Sequence, residues 1–290
     1  MFVEREVILE VEALQKRYAN GTLAIQEISI DVRKGEFASI VGPSGAGKTT
    51  LLKTICALLA PTSGKVSLHG TVIEEPPPEM ILVFQDYARS LFPWLTVMGN
   101  VIFPLKKRSD ISKADKESLC REAIKAVGLE RFANYYPWQL SGGMQQRVGL
   151  ARAMALEPEI MLMDEPFGSL DAQTSELLQV ELLKLWQFSK NTVIFVTHNL
   201  DEALLLADRI LLIGARPSRV EEEIKVPFRR PRWTYDVRSE PEYPVLRRHL
   251  WTRVREMVSK SGTFPGVNVA PSVTAPMAGE EWTPRLAERS

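Results

Sequence analysis

Cysteine is scarce in this sequence of 290 residues, because only Cys56 and Cys120 occur, far apart and without a Cys-x-x-Cys pair. A disulfide framework or a structural zinc site needs several such residues at characteristic spacings. We therefore expect neither of them. Cysteine usage of this kind is typical of a cytosolic protein.

An excess of one charge is also lacking, since 36 lysines and arginines balance 36 aspartates and glutamates. A net charge of zero gives no general attraction to polyanions, and no long basic run indicates a local nucleic-acid site. We therefore expect no nucleic-acid partner.

Long hydrophobic runs are absent as well. The apolar stretches at residues 80–84 and 160–163 fall far below the ~18 residues that a membrane-spanning helix requires. Residues 1–10 are interrupted by charges where a signal peptide needs an apolar run. We therefore expect any membrane role to depend on a partner protein.

Short apolar strands alternate with helical patterns over most of the chain, which predicts a parallel sheet covered by helices. Two strand patterns at residues 7–14 and 24–32 predict an antiparallel β subdomain packed on that core. The stretch from about residue 95 to 136 is helical without a strand signal, which predicts an all-α subdomain over about residues 95–155. The predicted fold class is therefore α/β with these two additions.

The composition changes again after residue 226. Residues 242–259 have the pattern of one basic helix, and residues 261–290 combine prolines with little periodicity, which predicts a disordered tail. The extension over residues 227–290 is too short for a second folded domain. The extension could regulate the protein, bind a partner or have no function, and the sequence leaves these three alternatives open.

A phosphate-binding loop is predicted between the strand at residues 37–41 and the helix that follows. It fits the pattern G-x-x-x-x-G-K-[ST], whose backbone amides surround phosphate oxygens at a helix N-terminus. Lys48 supplies a cation for the β- and γ-phosphates, and Thr49 supplies a hydroxyl for Mg²⁺. The alternative is a tight turn with a chance lysine. The loop residues are Gly42, Pro43, Ser44, Gly45, Ala46, Gly47, Lys48 and Thr49, with Thr50 following.

Two carboxylates, Asp164 and Glu165, follow the apolar strand at residues 160–163. Beside a phosphate loop, such a strand directs Asp164 at the metal, and Glu165 is placed to orient and deprotonate a water molecule. Without the loop, the same pattern would be an ordinary boundary between a strand and a turn.

A second anion site is predicted within residues 140–147. Ser141 is a good N-cap, and the adjacent Gly142 and Gly143 expose amides at the start of a helix. One nucleotide does not need two phosphate sites on the same chain, so a nucleotide shared between two chains is the simplest explanation. The alternative is a helix N-cap with two loop glycines.

These motifs, together with Gln85, residues 169–171 and His198, resemble the ATP-binding subunits of ABC transporters in order and spacing over about residues 7–226. The resemblance implies the P-loop NTPase (ABC ATPase) fold and ATP hydrolysis coupled to transport. It also implies a head-to-tail homodimer with ATP and Mg²⁺ at the interface. We therefore expect an ABC ATP-binding domain over residues 7–226.

The same resemblance assigns roles to individual residues. Gln85 would contact Mg²⁺ and the attacking water, and His198 would hold the γ-phosphate and orient Glu165. Tyr18 would stack on adenine. The alternative for His198 is an ordinary loop histidine, and the alternative for Tyr18 is a tyrosine packed at a sheet edge. Residues 141–143 would contact the γ-phosphate of ATP bound to the partner subunit, and Asp171 would lie at the dimer interface. The implied catalytic residues are Glu165, His198 and Gln85; the implied metal ligands are Thr49, Gln85 and Asp164; Gln145 joins the nucleotide-binding set.

Residues 90–97, 136–139 and 215–220 look like those of the nitrate, sulfonate, taurine and bicarbonate import ATPases, although polyamine and thiamine-precursor importers share parts of them. This resemblance implies transmembrane permease subunits, an external solute-binding protein and a place on the cytoplasmic face of the membrane. We expect the permease to dock at residues 92–97, unless Trp94 fills the core of the helical subdomain. The solute is not predicted.

Two other classes of P-loop protein fit the sequence less well. A soluble ABC ATPase acting on DNA or ribosomes predicts a long coiled-coil insertion or two cassettes in one chain, and neither is present. A P-loop kinase or GTPase leaves the second anion site at residues 141–143 unexplained. Transport is therefore favoured.

Overall fold

The computed structural model describes residues 5–84, 90–168 and 170–260, which form two sheets with helices around them. Of the helices in these ranges, none is long and apolar enough to cross a membrane. The strands are β1 (Val7–Arg17), β2 (Leu23–Arg33), β3 (Phe37–Val41), β4 (Ser63–Leu68), β5 (Thr71–Val72), β6 (Met80–Val83), β7 (Ile160–Asp164), β8 (Thr192–Thr197), β9 (Arg209–Ile213) and β10 (Val220–Lys225). The helices are α1 (Lys48–Ile55), α2 (Val97–Ile102), α3 (Lys113–Ala126), α4 (Gly142–Met154), α5 (Ala172–Ser189), α6 (Leu200–Leu206) and α7 (Glu242–Lys260).

The central sheet has six strands in the order β10-β9-β3-β8-β7-β6. The strands from β9 to β6 run parallel, and β10 pairs antiparallel with β9 at one edge. Every residue of β3, β7 and β8 is buried, as expected for parallel strands covered on both faces. The order places the carboxyl ends of β3, β8 and β7 side by side.

A second sheet, antiparallel and in the order β2-β1-β4-β5, packs against the central one. Ile8 of β1 lies in the same buried cluster as Ile40 of β3 and Ile194 of β8. Between β6 and β7, all regular structure that the described residues form is helical. The predicted class is thus confirmed: an α/β P-loop core with an antiparallel β subdomain and an all-α subdomain.

Element boundaries differ from the prediction in a few places. The sequence pattern predicts a helix from Lys48 to about residue 59, but α1 ends at Ile55, because Ala57 adopts a positive φ of 55° that an α-helix cannot continue. It also predicts a strand over the apolar residues 80–84, whereas β6 ends at Val83. Strand β10 was not predicted, because its run of three glutamates gives no apolar alternation at the edge of the sheet.

The C-terminal extension joins the main hydrophobic core instead of standing apart from it. Phe228, Tyr243, Leu246 and Leu250 are buried in the cluster that also holds Leu204 of α6. Residue 226 is therefore not a boundary between two cores. Helix α7 covers the range in which the sequence pattern predicted a helix, whereas the predicted tail at residues 261–290 lies outside the described residues.

Candidate functional site

The phosphate-loop motif forms a tight turn between β3 and α1. Gly47 is the N-cap of α1 with a φ of +84°, and a Cβ there would lie 3.2 Å from the Ala24 carbonyl oxygen. A Cβ on Gly42 would lie only 2.4 Å from the carbonyl oxygen of Ile213. The turn therefore needs glycine at both ends, which leaves its backbone amides accessible to an anion.

Lys48 is folded back over this turn. Its ammonium group donates to the carbonyl oxygens of Gly42 at 2.8 Å and Pro43 at 2.9 Å, and the residue is only 6% exposed. Burial lowers the pKa of Lys48, while the charges of Glu165 and Asp164 oppose the shift. The result is a nearly buried cation at the rim of an amide-lined turn, which suits a polyanionic ligand.

Asp164 ends β7 and lies next to Thr49, the residue after the loop lysine. Burial raises the pKa of Asp164, and a hydrogen bond with the Thr49 side chain opposes that shift. Asp164 as a whole residue is only 3% exposed. A buried carboxylate beside a hydroxyl is a set of hard oxygen donors, so these two residues fit Mg²⁺.

Glu165 and His198 form the second part of the site. The Nδ1 atom of His198 lies 3.0 Å from Oε2 of Glu165, although 33 residues separate them. Pairing of β7 with β8 brings them together, because both residues directly follow a strand. Glu165 has a φ of +48°, and its amide donates to the Val196 carbonyl oxygen at 3.0 Å. Positive φ at a non-glycine residue is a conformation that often marks a functional site.

Tyr18 lies at the side of the phosphate loop. Its hydroxyl is 2.9 Å from Oγ1 of Thr50 in α1, and the residue is partly exposed. The Lys16 ammonium lies 5.9 Å from the centre of the Tyr18 ring. The exposed ring therefore has a fixed position next to the loop, as a stacking platform for a base requires.

The second predicted anion site is the N-terminus of α4. Ser141 is its N-cap, as predicted, and its hydroxyl accepts from the Met144 amide at 3.3 Å. A Cβ on Gly142 would meet nothing within 4 Å, so this side of the helix terminus is open. The Gln145 side chain does not point to the open side. It donates to the Pro137 carbonyl oxygen at 2.9 Å and so joins α4 to the segment that precedes it.

Asp171 lies at the start of α5 and accepts from the Thr174 amide at 2.9 Å. The Thr174 amide and hydroxyl lower the pKa of this exposed carboxylate. Asp171 is therefore a helix cap that presents a negative charge at the surface. The sequence motif did not reveal this capping role.

The structure brings the loop, Asp164, Glu165 and His198 to one edge of the central sheet. No hydrogen bond among the described residues joins that loop to residues 141–143. A link that the motifs did not reveal is Gln146, whose amide donates to the Pro166 carbonyl oxygen at 2.5 Å and so ties α4 to the turn after Glu165. Gln85 and Ser169 lie outside the described residues.

Comparison with protein families and curated proteins gives consistent matches. Residues 25–168 match the family model described as ABC transporter. An uncharacterized ABC transporter ATP-binding protein of Methanocaldococcus jannaschii is 46% identical, over 88% of this chain and 94% of its own length. A nitrate import ATP-binding protein of Synechococcus elongatus is 42% identical over 78% of this chain and 82% of its own. A bicarbonate transport ATP-binding protein of Synechocystis is 41% identical over 83% and 86%.

A bacterial ABC transporter cassette solved as a dimer has a similar structure. It is 35% identical with a TM-score of 0.68, and the match covers 77% of this chain and all of the cassette. The same cassette has been solved as a dimer in a post-hydrolysis state with ADP and Pi, at 34% identity and a TM-score of 0.68.

Proposed function

This chain belongs to the ATP-binding proteins of ABC transporters, which bind and hydrolyse ATP to drive transport, and from that premise we propose that it powers import of a small solute. Relatives that are 41–42% identical are named for nitrate import and bicarbonate transport. A small solute of this kind, such as nitrate, bicarbonate or a sulfonate such as taurine, is the proposed cargo. A soluble ATPase acting on DNA or ribosomes is disfavoured, because these relatives are transport proteins.

The observation that carries the proposal is the contact of 3.0 Å between Glu165 and His198 beside the phosphate loop. In the proposed mechanism, the loop amides and Lys48 bind the β- and γ-phosphates of ATP. Water attacks the γ-phosphorus, the bond to the bridging oxygen breaks, and Glu165 accepts the proton of the water. His198 keeps the Glu165 carboxylate in place and faces the γ-phosphate.

Mg²⁺ is the proposed metal, with Thr49, Asp164 and Gln85 as the residues that would hold it. Bound Mg²⁺ neutralises phosphate charge during phosphoryl transfer. The burial of Asp164, which raises its pKa, supports this assignment, because a cation would offset the unfavourable burial of its negative charge.

A head-to-tail homodimer is the proposed assembly. Residues 141–143 of one chain would contact the γ-phosphate of ATP on the partner, and Asp171 would lie at the seam. The open side of Gly142 supports this arrangement, as does the dimer formed by the 35% identical cassette. A closed dimer would then hold each ATP between two chains.

Permease docking is proposed at residues 92–97, on the cytoplasmic face of the membrane, with the external solute-binding protein contacting the permease alone. Trp94 is 70% exposed, which argues against the alternative that it fills the core of the helical subdomain. The Phe92 ring lies 5.5 Å from Trp94 and 4.5 Å from Phe103, so these residues form an exposed aromatic patch. Such patches often mark interfaces.

Replacing Trp94 with alanine tests this docking. Trp94→Ala should keep the basal ATPase rate of the isolated chain and lose co-purification with membrane proteins, because the substitution removes a large exposed ring that belongs neither to the phosphate loop nor to the Glu165–His198 pair. Trp251→Ala is the matched control, since Trp251 is 58% exposed on α7. Full membrane assembly of Trp94→Ala, or equal loss in both variants, would contradict docking at this patch.

A further inference from the structure

The helix that follows His198 is bound by the C-terminal extension at both of its ends. Helix α6 begins two residues after His198, with Asn199 as its N-cap. The His198 side chain is 59% exposed, so packing does not hold its ring. The backbone from which it projects must therefore determine where the imidazole lies relative to Glu165.

The first turn of α6 is held through Asp201. The Tyr243 hydroxyl donates to Oδ1 of Asp201 at 2.6 Å, and Arg247 donates from Nε to Oδ1 at 2.6 Å and from Nη2 to Oδ2 at 3.2 Å. Burial opposes ionisation, but the hydrogen bonds from Arg247 and Tyr243 lower the pKa of Asp201 overall. Two side chains of α7 thus donate hydrogen bonds to a charged carboxylate near the start of α6.

The last turn of α6 is held by two arginines that precede α7. Arg232 is 2% exposed and donates from Nη1 to the carbonyl oxygens of Leu205 at 3.0 Å and Ala207 at 2.6 Å. Arg230 donates to the Leu206 carbonyl oxygen at 2.6 Å. Burial lowers the pKa of Arg232 to about 9, so its guanidinium is still charged at neutral pH. A cation at a helix C-terminus binds the carbonyls that have no partner within the helix.

The inner side of the same segment is fixed by a buried network. The Thr197 hydroxyl donates to Glu202 at 2.6 Å and accepts from the Asn199 amide at 2.9 Å, so both neighbours of His198 take part. Gln179 of α5 donates to the Glu202 carboxylate at 3.3 Å. The segment that carries His198 thus lies between α5 on one side and the extension on the other.

We propose that the C-terminal extension is a positioning element for ATP hydrolysis: Tyr243 and Arg247 act through Asp201 to keep His198 in contact with Glu165. The inference rests on the proposed roles of His198 and Glu165. Tyr243 and Arg247 are positioning residues, because neither touches the reacting groups. A displacement of about 1 Å at a catalytic group lowers rates by up to about 10²-fold. We expect part of such a loss when the hydrogen bonds from Tyr243 and Arg247 to Asp201 are removed.

The test is the double variant Tyr243→Phe/Arg247→Met in the full-length protein. These substitutions keep the ring and the aliphatic stem but remove the hydrogen bonds that the Asp201 carboxylate accepts from Tyr243 and Arg247. We expect kcat for ATP hydrolysis to fall about tenfold with an unchanged KM for ATP, since the phosphate loop is untouched. Arg253→Met is the matched control, because Arg253 lies on the same helix and binds Glu222 of β10 at 2.9 Å instead of α6. The control should keep the wild-type kcat.

A double-mutant cycle with His198→Ala separates positioning from general stability. In single-turnover assays, the double variant should lower the rate with His198 present and have no further effect in the His198→Ala background. An equal loss in both backgrounds, or a wild-type kcat in the double variant, overturns the inference. A wild-type rate in His198→Ala alone would instead overturn the proposed function. If the double variant does not fold, Asp201→Asn removes the same charge pair from the α6 side and completes the cycle.

Discussion

At the scale of single residues, the most informative position is Glu165, because its backbone conformation sets the direction of its carboxylate. Its φ of +48° is unfavourable by about 1–3 kcal/mol for a non-glycine residue. The backbone is held there because its amide donates to Val196 and its carbonyl oxygen accepts from the Gly168 amide at 3.2 Å. The turn therefore directs the carboxylate toward His198 instead of letting β7 continue.

Glu165→Gln tests whether this carboxylate is the general base. Glutamine has the same shape but cannot accept a proton at neutral pH, so hydrolysis should fall by about 10²–10⁴-fold while ATP binding survives. Steady-state ATPase assays and nucleotide titration give the two values. Glu159→Gln is the control, because Glu159 directly precedes β7 and binds His69 at 2.9 Å, at the opposite end of the strand. Loss of ATP binding in Glu165→Gln would assign Glu165 a structural or metal-holding role.

At the scale of secondary-structure elements, the contact between α6 and α7 combines apolar packing with one charged group. Leu246 and Leu250 of α7 are buried in the main core, while Asp201 of α6 receives hydrogen bonds from Tyr243 and Arg247 at the periphery. The apolar part of this contact does not depend on pH. The Asp201 part does, because it needs an ionised carboxylate.

The stabilisation from Asp201 should therefore disappear in acid. A carboxyl group whose pKa is lowered by folding contributes stability above its ordinary value of 3.8, and this contribution is lost as the pH falls through the lowered value. Urea unfolding of the wild type and Asp201→Asn should show a difference of roughly 1 kcal/mol at pH 7, a small value because solvent screens the pair. The two proteins should converge only when the pH falls below the lowered pKa of Asp201. A difference that grows in acid would contradict this sign.

At the scale of the whole molecule, one chain has two helix termini that we propose bind phosphate, those of α1 and α4, and no hydrogen bond among the described residues joins them. The α1 terminus has Lys48 folded over it, whereas the α4 terminus is open beside Gly142. In the proposed head-to-tail dimer, the open terminus of one chain would meet the phosphate loop of its partner. Closure of a dimer is thus expected to depend on both termini.

Ser141→Arg in the Glu165→Gln background tests that dependence. Glu165→Gln should accumulate as an ATP-bound dimer, and the added arginine should keep the protein monomeric in light scattering with Mg·ATP, because it fills the space meant for the γ-phosphate. ATP binding by the monomer should remain. Ser112→Arg is the matched control, since Ser112 caps α3 in the same way and accepts from the Asp115 amide at 3.2 Å. A dimer in both double variants would contradict the shared site.

The turn between β3 and α1, the buried strands and the helix cap at Ser141 could be predicted from the sequence, because each depends on residues close together in the chain. Spacing of glycines around Lys48 specifies a turn locally, and apolar runs specify strands covered on both faces. Chain order and motif spacing also carried the family resemblance, which the comparisons then confirmed. Strand β10 was not predicted, because a run of three glutamates has no strand pattern of its own and forms a strand here by pairing with β9.

Contacts between residues far apart in the chain depend on the tertiary structure. The family resemblance implied that His198 orients Glu165, and the pairing of β8 with β7 explains why these two residues meet. No sequence pattern indicated that Asp201 contacts Arg247, 46 residues further along the chain, where α7 packs on α6. The sequence left the role of the extension open, since hydrophobic periodicity predicts a helix but not the surface that it covers. The choice of that surface follows from the burial of Leu250 and from hydrogen bonds that form only when both helices are in place, and these are properties of the whole fold.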